Sequence, residues 1–154
     1  MSSDVRRATP SDAAAVAGML DDCNREFDTP TPGPAVLVPR VARLLEQGDV
    51  VALLTGSPPT GLAVLTLRSN VWYDGPVGLL DELYVVPHLR GQGLGTSLLH
   101  AAEEVVRERG GEVFEINVDG PDVDARRFYE RHGYRNSEAG SQEPLLYYFR
   151  ELTG

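Results

Sequence analysis

A glycine-rich stretch between a predicted strand and a predicted helix constrains this chain more than any other feature. The sequence VVPHLRGQGLGTSLLHAAEE places Gly91, Gly93 and Gly95 directly before an apolar-periodic segment. Backbone N–H groups at a helix start have no partner within the helix, and the helix dipole there favours negative charge. Glycines let an anion approach this backbone closely. The stretch therefore predicts a phosphate or pyrophosphate site, and a tight turn without a ligand is the alternative.

Two familiar kinds of phosphate site do not fit this stretch. A P-loop requires a lysine after its second glycine, and all 14 basic residues of this chain are arginines. A dinucleotide-binding loop has the spacing G-x-G-x-x-G after the first strand of the domain. Here the spacing is G-x-G-x-G, and the loop lies past the middle of the chain. Arg90, at the edge of the loop, offers a charge-assisted contact to an anion.

The remaining patterns predict a mixed α/β domain with a central sheet covered by helices. Apolar alternation and turn signals separate the elements along the chain. We predict a crossover of strand, helix and parallel strand around the glycine-rich stretch. The predicted strands are Val5–Thr9, 49–56, 61–70, Val77–Val86, Val113–Val118 and 144–151. The predicted helices start near Pro10, at Pro39 (to Gln47), at Gly93 (to Arg109) and after Asp122 or Asp124 (to about His132), and Thr29–Pro39 is predicted as a loop.

Charge and composition limit the partners. The formal net charge of −9 argues against a nucleic-acid-binding surface and is compatible with a cationic small molecule. No apolar run approaches the roughly 18 residues that a membrane span needs, so no membrane partner is expected. The first residues lack the apolar segment of a secretory signal, and a single cysteine allows no intrachain disulfide. A cytoplasmic location is the resulting default expectation.

Two segments carry a resemblance to a known family. LYVVPHLRGQGLGTSLL resembles the acetyl-CoA pyrophosphate loop of the GNAT superfamily of N-acetyltransferases, with the signature [QR]-x-x-G-x-[GA]. DVDARRFYERHGY, from Asp122 to Tyr134, resembles the second signature, N-x-x-A-x-x-[FL]-Y-x-x-x-G-[FY]. The opening VRRATPSDAAAVAGML is similar to the family's first strand and helix, so the resemblance covers essentially the whole chain. It implies a single domain over residues 1–154, with about six or seven strands and about four helices.

The resemblance also implies the cofactor and the residues that hold it. Acetyl-CoA is the expected co-substrate, and no metal is expected. Aspartate replaces the family's usual asparagine at Asp122, which puts that residue's contact with the pantetheine arm in question. The implied cofactor residues are Leu83, Tyr84 and Val85 for the pantetheine arm, Arg90, Gly91, Gln92, Gly93, Leu94, Gly95 and Thr96 for the pyrophosphate, and Asp122 and Ala125 from the second signature.

Transfer to an amine requires a route for the amine proton and a donor for the leaving thiolate. By resemblance, Tyr129 is the general acid for the thiolate. Asp81 and Glu82 interrupt an apolar strand, where charge is costly unless it has a partner or faces water. Because side chains alternate along a strand, we expect the two carboxylates to point to opposite faces. Glu82 is the preferred base, with Asp81 or water as alternatives. The three histidines have no metal-ligand spacing.

The acceptor is predicted less closely. WYDGPVGLLDELYVVPHLRGQGLG resembles part of the spermidine/spermine-type diamine N-acetyltransferases, in which two adjacent acids help to bind a cationic acceptor. Asp81 and Glu82 match those two acids, with Asp81 as the implied acceptor contact. Trp72 and Tyr73 could line the acceptor site through cation–π contacts or lie at a subunit interface. The alternatives are a protein N-terminal or lysine acetyltransferase and a non-catalytic acyl-CoA sensor. A homodimer is compatible with the resemblance.

Overall fold

The structure, a computed structural model, describes residues 4–153. These residues form two compact units, residues 4–116 and residues 117–153. Short 3₁₀ turns at Pro10–Asp12 and Pro87–Leu89 connect elements of the first unit. That unit contains β1 (Val5–Arg7), α1 (Ala13–Glu26), α2 (Pro34–Glu46), β2 (Val50–Thr55), β3 (Gly61–Arg68), β4 (Val77–Val85), α3 (Leu94–Glu108) and β5 (Val113–Ile116). The second unit contains α4 (Val123–Arg131).

One mixed sheet organises the first unit, with the strands in the order β1-β2-β3-β4-β5. The first three pairings are antiparallel, and β4 pairs with β5 in parallel. Two parallel neighbours need a crossover between them, and α3 supplies it. The predicted α/β class, the mixed sheet and the crossover are therefore confirmed, and the described residues contain the four expected helices.

The core lies on both faces of the central strands. Every residue of β2 is buried, which fits a strand covered on both sides. Leu98 and Leu99 of α3 are fully buried against this sheet, and Ala102 and Val106 continue the same helix face. Each fully buried leucine contributes about 1.5–3 kcal/mol relative to an exposed one. This packing holds α3, and hence the loop before it, in a fixed place at the end of β4.

The predicted loop over Thr29–Pro39 is wrong in its second half, because α2 already begins at Pro34. Gly33 precedes the helix with a φ of 92°, and its carbonyl accepts the N–H groups of Val36 and Leu37. Proline is well suited to a first helical turn, since its φ is preset and it needs no acceptor there. Leu37 and Val38 pack against the core, and this packing supports the helix across Pro39.

The predicted final strand over 144–151 is also wrong. Its residues form no strand ladder, and a single isolated bridge joins Pro144 to Ser137. Strand propensity measures the fit to a pleated, half-buried surface, so strand-forming side chains do not form a strand without a neighbour to pair with. The described residues accordingly contain five strands rather than six or seven. The exposed side chains of this segment include Leu145, Leu146, Tyr147, Tyr148 and Phe149.

Three further observations concern residues 4–153 as a whole. None of their helices combines the length and apolarity that crossing a membrane would require. Within the same residues, no three His, Cys, Asp or Glu side chains come together as a metal-binding group. The ion pairs found in this part of the chain all join an arginine to a carboxylate.

Candidate functional site

The second half of β4 has a partner strand on only one side among the described residues. Its pairing with β5 ends at Leu80 and Ile116, whereas its pairing with β3 continues to Val85 and Gly61. The Val86 N–H donates to the Thr60 carbonyl at 2.9 Å. Because backbone groups alternate along an antiparallel strand, those of Leu83 and Val85 face away from β3. We call this side of residues 81–85 the open edge of β4, and an extended arm with amide groups can pair with it.

The glycine-rich loop follows the open edge directly. Gly91 and Gly93 have φ values of 76° and 87°, which favour glycine. A Cβ at either position would meet nothing within 4 Å, so the backbone conformation rather than crowding demands glycine. No side chain caps α3 at Gly93, and the first helical hydrogen bond from Ser97 reaches the Gly93 carbonyl. The N–H groups of the first turn therefore have no acceptor within the helix and can meet an anion.

The other loop residues predicted to touch the pyrophosphate lie where such contacts are feasible. Gln92 is exposed between the two positive-φ glycines. Leu94, Gly95 and Thr96 form the first turn of α3, and all three are half-buried. The structure therefore brings the predicted loop residues together at one helix end, next to the end of β4.

Arg90 occupies the corner between the open edge and the loop. Its Nε donates to the Val85 carbonyl at 2.8 Å, and its two terminal nitrogens contact the Glu26 carboxylate at 2.6 and 2.7 Å. The guanidinium carbon also lies 5.5 Å from the centre of the Tyr84 ring. Arg90 is thus tied to β4 and to the last residue of α1 as well as being adjacent to the loop.

A β-bulge lies in β4 at the two adjacent acids, Asp81 and Glu82. Val64 of β3 pairs with Glu82 while its neighbour Leu65 pairs with Leu80, so Asp81 is the extra residue. The expected strict alternation that would send the two carboxylates to opposite faces is broken at this point. The Thr66 hydroxyl donates to Asp81 Oδ2 at 2.6 Å, which fixes one of the two acids.

Both acids have raised pKa values. Desolvation by the surrounding protein raises the pKa of Asp81, and the bond from Thr66 opposes that effect. Desolvation also raises the pKa of Glu82, and the negative charge of Asp81 adds to it. A carboxylate whose pKa moves toward neutrality is a stronger base than an ordinary one. Glu82 lacks an opposing cation in this balance, which suits it to accept a proton.

The end of α1 adds further negative charge near β4. Burial raises the pKa of the Cys23 thiol to about 11, and the charges of Glu82 and Glu26 contribute. Burial also raises the pKa of Tyr84, and the charge of Asp22 adds to that effect. Arg90 lowers the pKa of both groups and so opposes the charge of Glu26, while Asp22 and Glu82 add further negative charge at this end of β4. The arrangement attracts cations.

Trp72 and Tyr73 are not brought to this part of β4. They lie in the loop between β3 and β4, where the Asn70 side chain accepts both of their N–H groups at 2.8 and 2.9 Å. Trp72 is 84% exposed. The loop precedes Val77, and five strand residues of about 3.3 Å each separate Val77 from Glu82, or about 17 Å. The two aromatic side chains therefore stand at the opposite end of β4 from the glycine-rich loop.

The second unit holds the other predicted residues. Asp122 caps α4 by accepting the Ala125 N–H at 3.1 Å, which confirms one of the two predicted caps. The Tyr129 ring lies 5.2 Å from that of Phe128 and 6.0 Å from that of Tyr134, in edge-on geometry. His132 lies at the helix end, and its Nδ1 is 2.8 Å from the Phe128 carbonyl. The second signature thus forms one helix with a carboxylate cap and an aromatic cluster.

Sequence reasoning missed three features of the first unit. The bulge at Asp81 depends on the register with β3, and no local pattern announces it. Glu26 contacts Arg90 across 64 residues, which a local reading cannot find. Of the three, only the Asn70 turn has a local sequence signal, because asparagine side chains often hydrogen-bond to nearby backbone N–H groups in turns.

Comparison with known proteins places this geometry in a family. Residues 13–134 match the Acetyltransferase (GNAT) family. A crystal structure of a candidate acetyltransferase from Arthrobacter sp. FB24 is 61% identical, with a TM-score of 0.90 over 96% of this chain and 95% of that one.

Curated relatives are more distant. The aminoalkylphosphonate N-acetyltransferase of Salmonella typhimurium is 34% identical over 93 residues, which is 60% of this chain and 54% of that protein. The match therefore spans about half the length of that relative. An aminoglycoside N(6')-acetyltransferase type 1 from Stenotrophomonas maltophilia is 28% identical over 141 residues, 87% of each chain. Since the family match covers most of the chain, including both signatures, this protein belongs to the GNAT acetyltransferase family.

Proposed function

We propose that this chain transfers an acetyl group from acetyl-CoA to the primary amine of a small cationic acceptor, by direct attack in a ternary complex. One observation carries the proposal: the open edge of β4 runs straight into an uncapped helix start behind positive-φ glycines. Coenzyme A has the matching parts, an extended arm with amide groups that ends in a pyrophosphate. Family membership supports the same co-substrate.

Each part of the cofactor has proposed partners. The backbone of Leu83 and the N–H of Val85, which face the open edge, pair with the pantetheine arm, whereas the backbone of Tyr84 faces β3 and lies between them. The loop from Arg90 to Thr96 holds the pyrophosphate. Asp122 and Ala125 remain proposed contacts from the second signature. Backbone N–H groups of the open edge are also the proposed donors to the tetrahedral oxyanion.

The proposed reaction forms one bond and breaks one. The amine nitrogen attacks the thioester carbonyl carbon, and the C–S bond then breaks. An alkylamine with a pKa near 10.4 is unprotonated in only about one molecule in a few thousand at pH 7, so the proton must leave. Glu82 accepts the amine proton, and Tyr129 donates a proton to the departing thiolate. The products are the N-acetylated acceptor and coenzyme A.

The carboxylates near β4 favour some classes of amine acceptor over others. Asp22, Asp81 and Glu82 attract a cation, and the chain has a net charge of −9. Two relatives are named for the acetylation of an aminoalkylphosphonate and of an aminoglycoside. The field favours a polycation over a phosphonate, so an aminoglycoside or a polyamine is the preferred class. A long polyamine would be needed for Trp72 or Tyr73, about 17 Å along β4, to contact the same acceptor.

Two measurements test the proposal. Titration calorimetry with acetyl-CoA should show binding. Thiol release should follow when spermidine or an aminoglycoside is added. It should not follow with the fully N-methylated quaternary form of the same amine, whose nitrogen has neither a lone pair to attack nor a proton to lose. Release with peptide amines alone would replace the small acceptor by a protein substrate. Binding without release for any amine would indicate a sensor, and absence of binding would refute the proposed function.

A further inference from the structure

The ion pair between Glu26 and Arg90 joins three parts of the first unit. Glu26 is the last residue of α1, and its two carboxylate oxygens contact the two terminal nitrogens of Arg90 at 2.6 and 2.7 Å. The third nitrogen of the same guanidinium donates to the Val85 carbonyl at 2.8 Å, at the end of the open edge. One planar group therefore links α1, the open edge and the residue directly before Gly91.

The geometry differs from that of an ordinary surface ion pair. An exposed pair held by one contact contributes little, whereas a bidentate guanidinium–carboxylate pair fixes an orientation. Both side chains are partly buried, with 41% and 30% of their surface exposed. The Arg90 guanidinium lowers the pKa of Glu26, so the pair stays ionised at neutral pH. The Tyr84 ring lies against the guanidinium and restricts it further.

The charge balance argues against Arg90 acting mainly as a counter-charge for the pyrophosphate. Glu26 cancels the positive charge locally, and three of the five N–H donors of Arg90 already have acceptors. The backbone directions are a stronger clue. The Val85 carbonyl faces the open edge, and Arg90 occupies it, so the edge ends there as a pairing surface.

We propose that Glu26 is a positioning residue for the cofactor: it holds Arg90 against Val85 and thereby fixes both the end of the open edge and the entrance to the glycine-rich loop. The inference rests on the proposed function, because the loop is assigned to acetyl-CoA there. Arg90 then acts on the pyrophosphate through the loop's backbone rather than through its own charge.

The test compares Glu26→Gln, Arg90→Lys and the double variant. Glu26→Gln keeps the side chain's size and removes its charge, and Arg90→Lys keeps the charge and removes the fork. Each should raise the calorimetric Kd for acetyl-CoA about tenfold, and the double variant should bind about as weakly as either one, since contacting residues are not additive. The kcat at saturating acetyl-CoA should change less than twofold while KM rises. Hydrogen exchange of residues 86–96 without ligand should become faster.

The matched control is Glu104→Gln, which breaks an exposed ion pair with Arg107 of similar length, 2.6 Å. It should change neither the Kd nor the exchange of the loop. If Glu26→Gln binds acetyl-CoA as tightly as the native protein or more tightly, Arg90 is a counter-charge and the inference is wrong. Unchanged loop exchange would also overturn it. A native protein that does not bind acetyl-CoA refutes the proposed function, whereas exchange without ligand separately decides whether Glu26 positions the loop.

Discussion

The starts of α3 and α4 solve the same physical problem in opposite ways. Each helix begins with N–H groups that have no acceptor inside the helix. At α4 the chain supplies its own anion, because the Asp122 carboxylate accepts the Ala125 N–H. At α3 the preceding residue is Gly93, which has no side chain to do this. A helix start satisfied from within is a structural device, and one left open toward a glycine-rich loop is suited to an external anion.

If the start of α3 only binds the anion, proton transfer must depend on other residues. Glu82→Gln on β4 should therefore reduce proton transfer and leave anion binding intact. We expect kcat to fall about 10³-fold, within the range for loss of a general base, with the Kd for acetyl-CoA unchanged within about twofold. In the native enzyme kcat should rise with pH through an apparent pKa above that of an ordinary glutamate, as desolvation and Asp81 dictate. The variant should lack this limb, and a stopped assay across pH 5–9 measures it.

The same change has a defined effect on stability. A folded-state pKa above the unfolded value means that ionised Glu82 is disfavoured in the fold. The stabilising contribution is present at low pH and is lost as the pH rises through the folded pKa. At neutral pH Glu82→Gln should therefore match or exceed the native free energy of unfolding. A less stable variant at neutral pH, measured by urea unfolding, would contradict this role of desolvation.

Converting the start of α3 into a copy of the start of α4 should abolish its use as an anion site. Gly93→Asp places a carboxylate where the pyrophosphate is proposed to lie, and we expect the Kd for acetyl-CoA to rise about 100-fold. Gly93→Asn, whose side chain has the same shape without the charge, should raise the Kd for acetyl-CoA about tenfold. Asparagine adopts a positive φ more readily than most residues, so Gly93→Asn keeps the loop conformation at some cost in strain. Calorimetry gives both values.

Gly110 provides the control for backbone strain. It follows α3 at its other end with a φ of 82°, and a Cβ there also meets nothing within 4 Å. Gly110→Asn should therefore destabilise the fold about as much as Gly93→Asn and leave acetyl-CoA binding unaltered. If both variants lose the same affinity for acetyl-CoA, backbone strain explains the loss in Gly93→Asn. The start of α3 would then not be an anion site.

Tyr129→Phe sharpens the comparison from the side of α4. If α4 contributes the acid for the thiolate, kcat should fall about 30- to 100-fold while the Kd for acetyl-CoA changes little. The ring's edge-on contacts with Phe128 and Tyr134 do not involve the hydroxyl, so the variant retains them. Unchanged turnover would remove Tyr129 from the proposed mechanism.

The smallest expected effect concerns the Asp122 cap itself. Asp122→Ala should lower the free energy of unfolding by about 1 kcal/mol, because it removes an N-cap acceptor. Asp122→Asn keeps an acceptor at the same place and should stay within a few tenths of a kcal/mol of the native value. Urea unfolding followed by circular dichroism distinguishes the two. A large loss in Asp122→Asn would mean that the carboxylate's charge, and not its capping geometry, stabilises α4.

Local chemistry made part of this arrangement predictable. The glycines before α3, the apolar face with Leu98 and Ala102, and the cap at Asp122 all follow from residues within one or two turns. The early start of α2 depends on Gly33 and Pro34 together with packing on the core. The absence of a strand at 144–151 and the bulge at Asp81 depend on which strand lies alongside, and the Glu26–Arg90 pair depends on two distant segments meeting. Long-range register therefore limits what the sequence predicts.

The exclusive use of arginine in the ion pairs has a chemical consequence for a protein proposed to hold an activated acetyl thioester. A lysine ammonium that loses its proton becomes a nucleophile toward such a group, whereas a guanidinium, whose pKa is far higher, stays protonated and does not attack. The chain forms its salt bridges without one lysine side chain. Its arginine side chains are thus inert toward its own proposed co-substrate, and the incoming acceptor supplies the reactive amine.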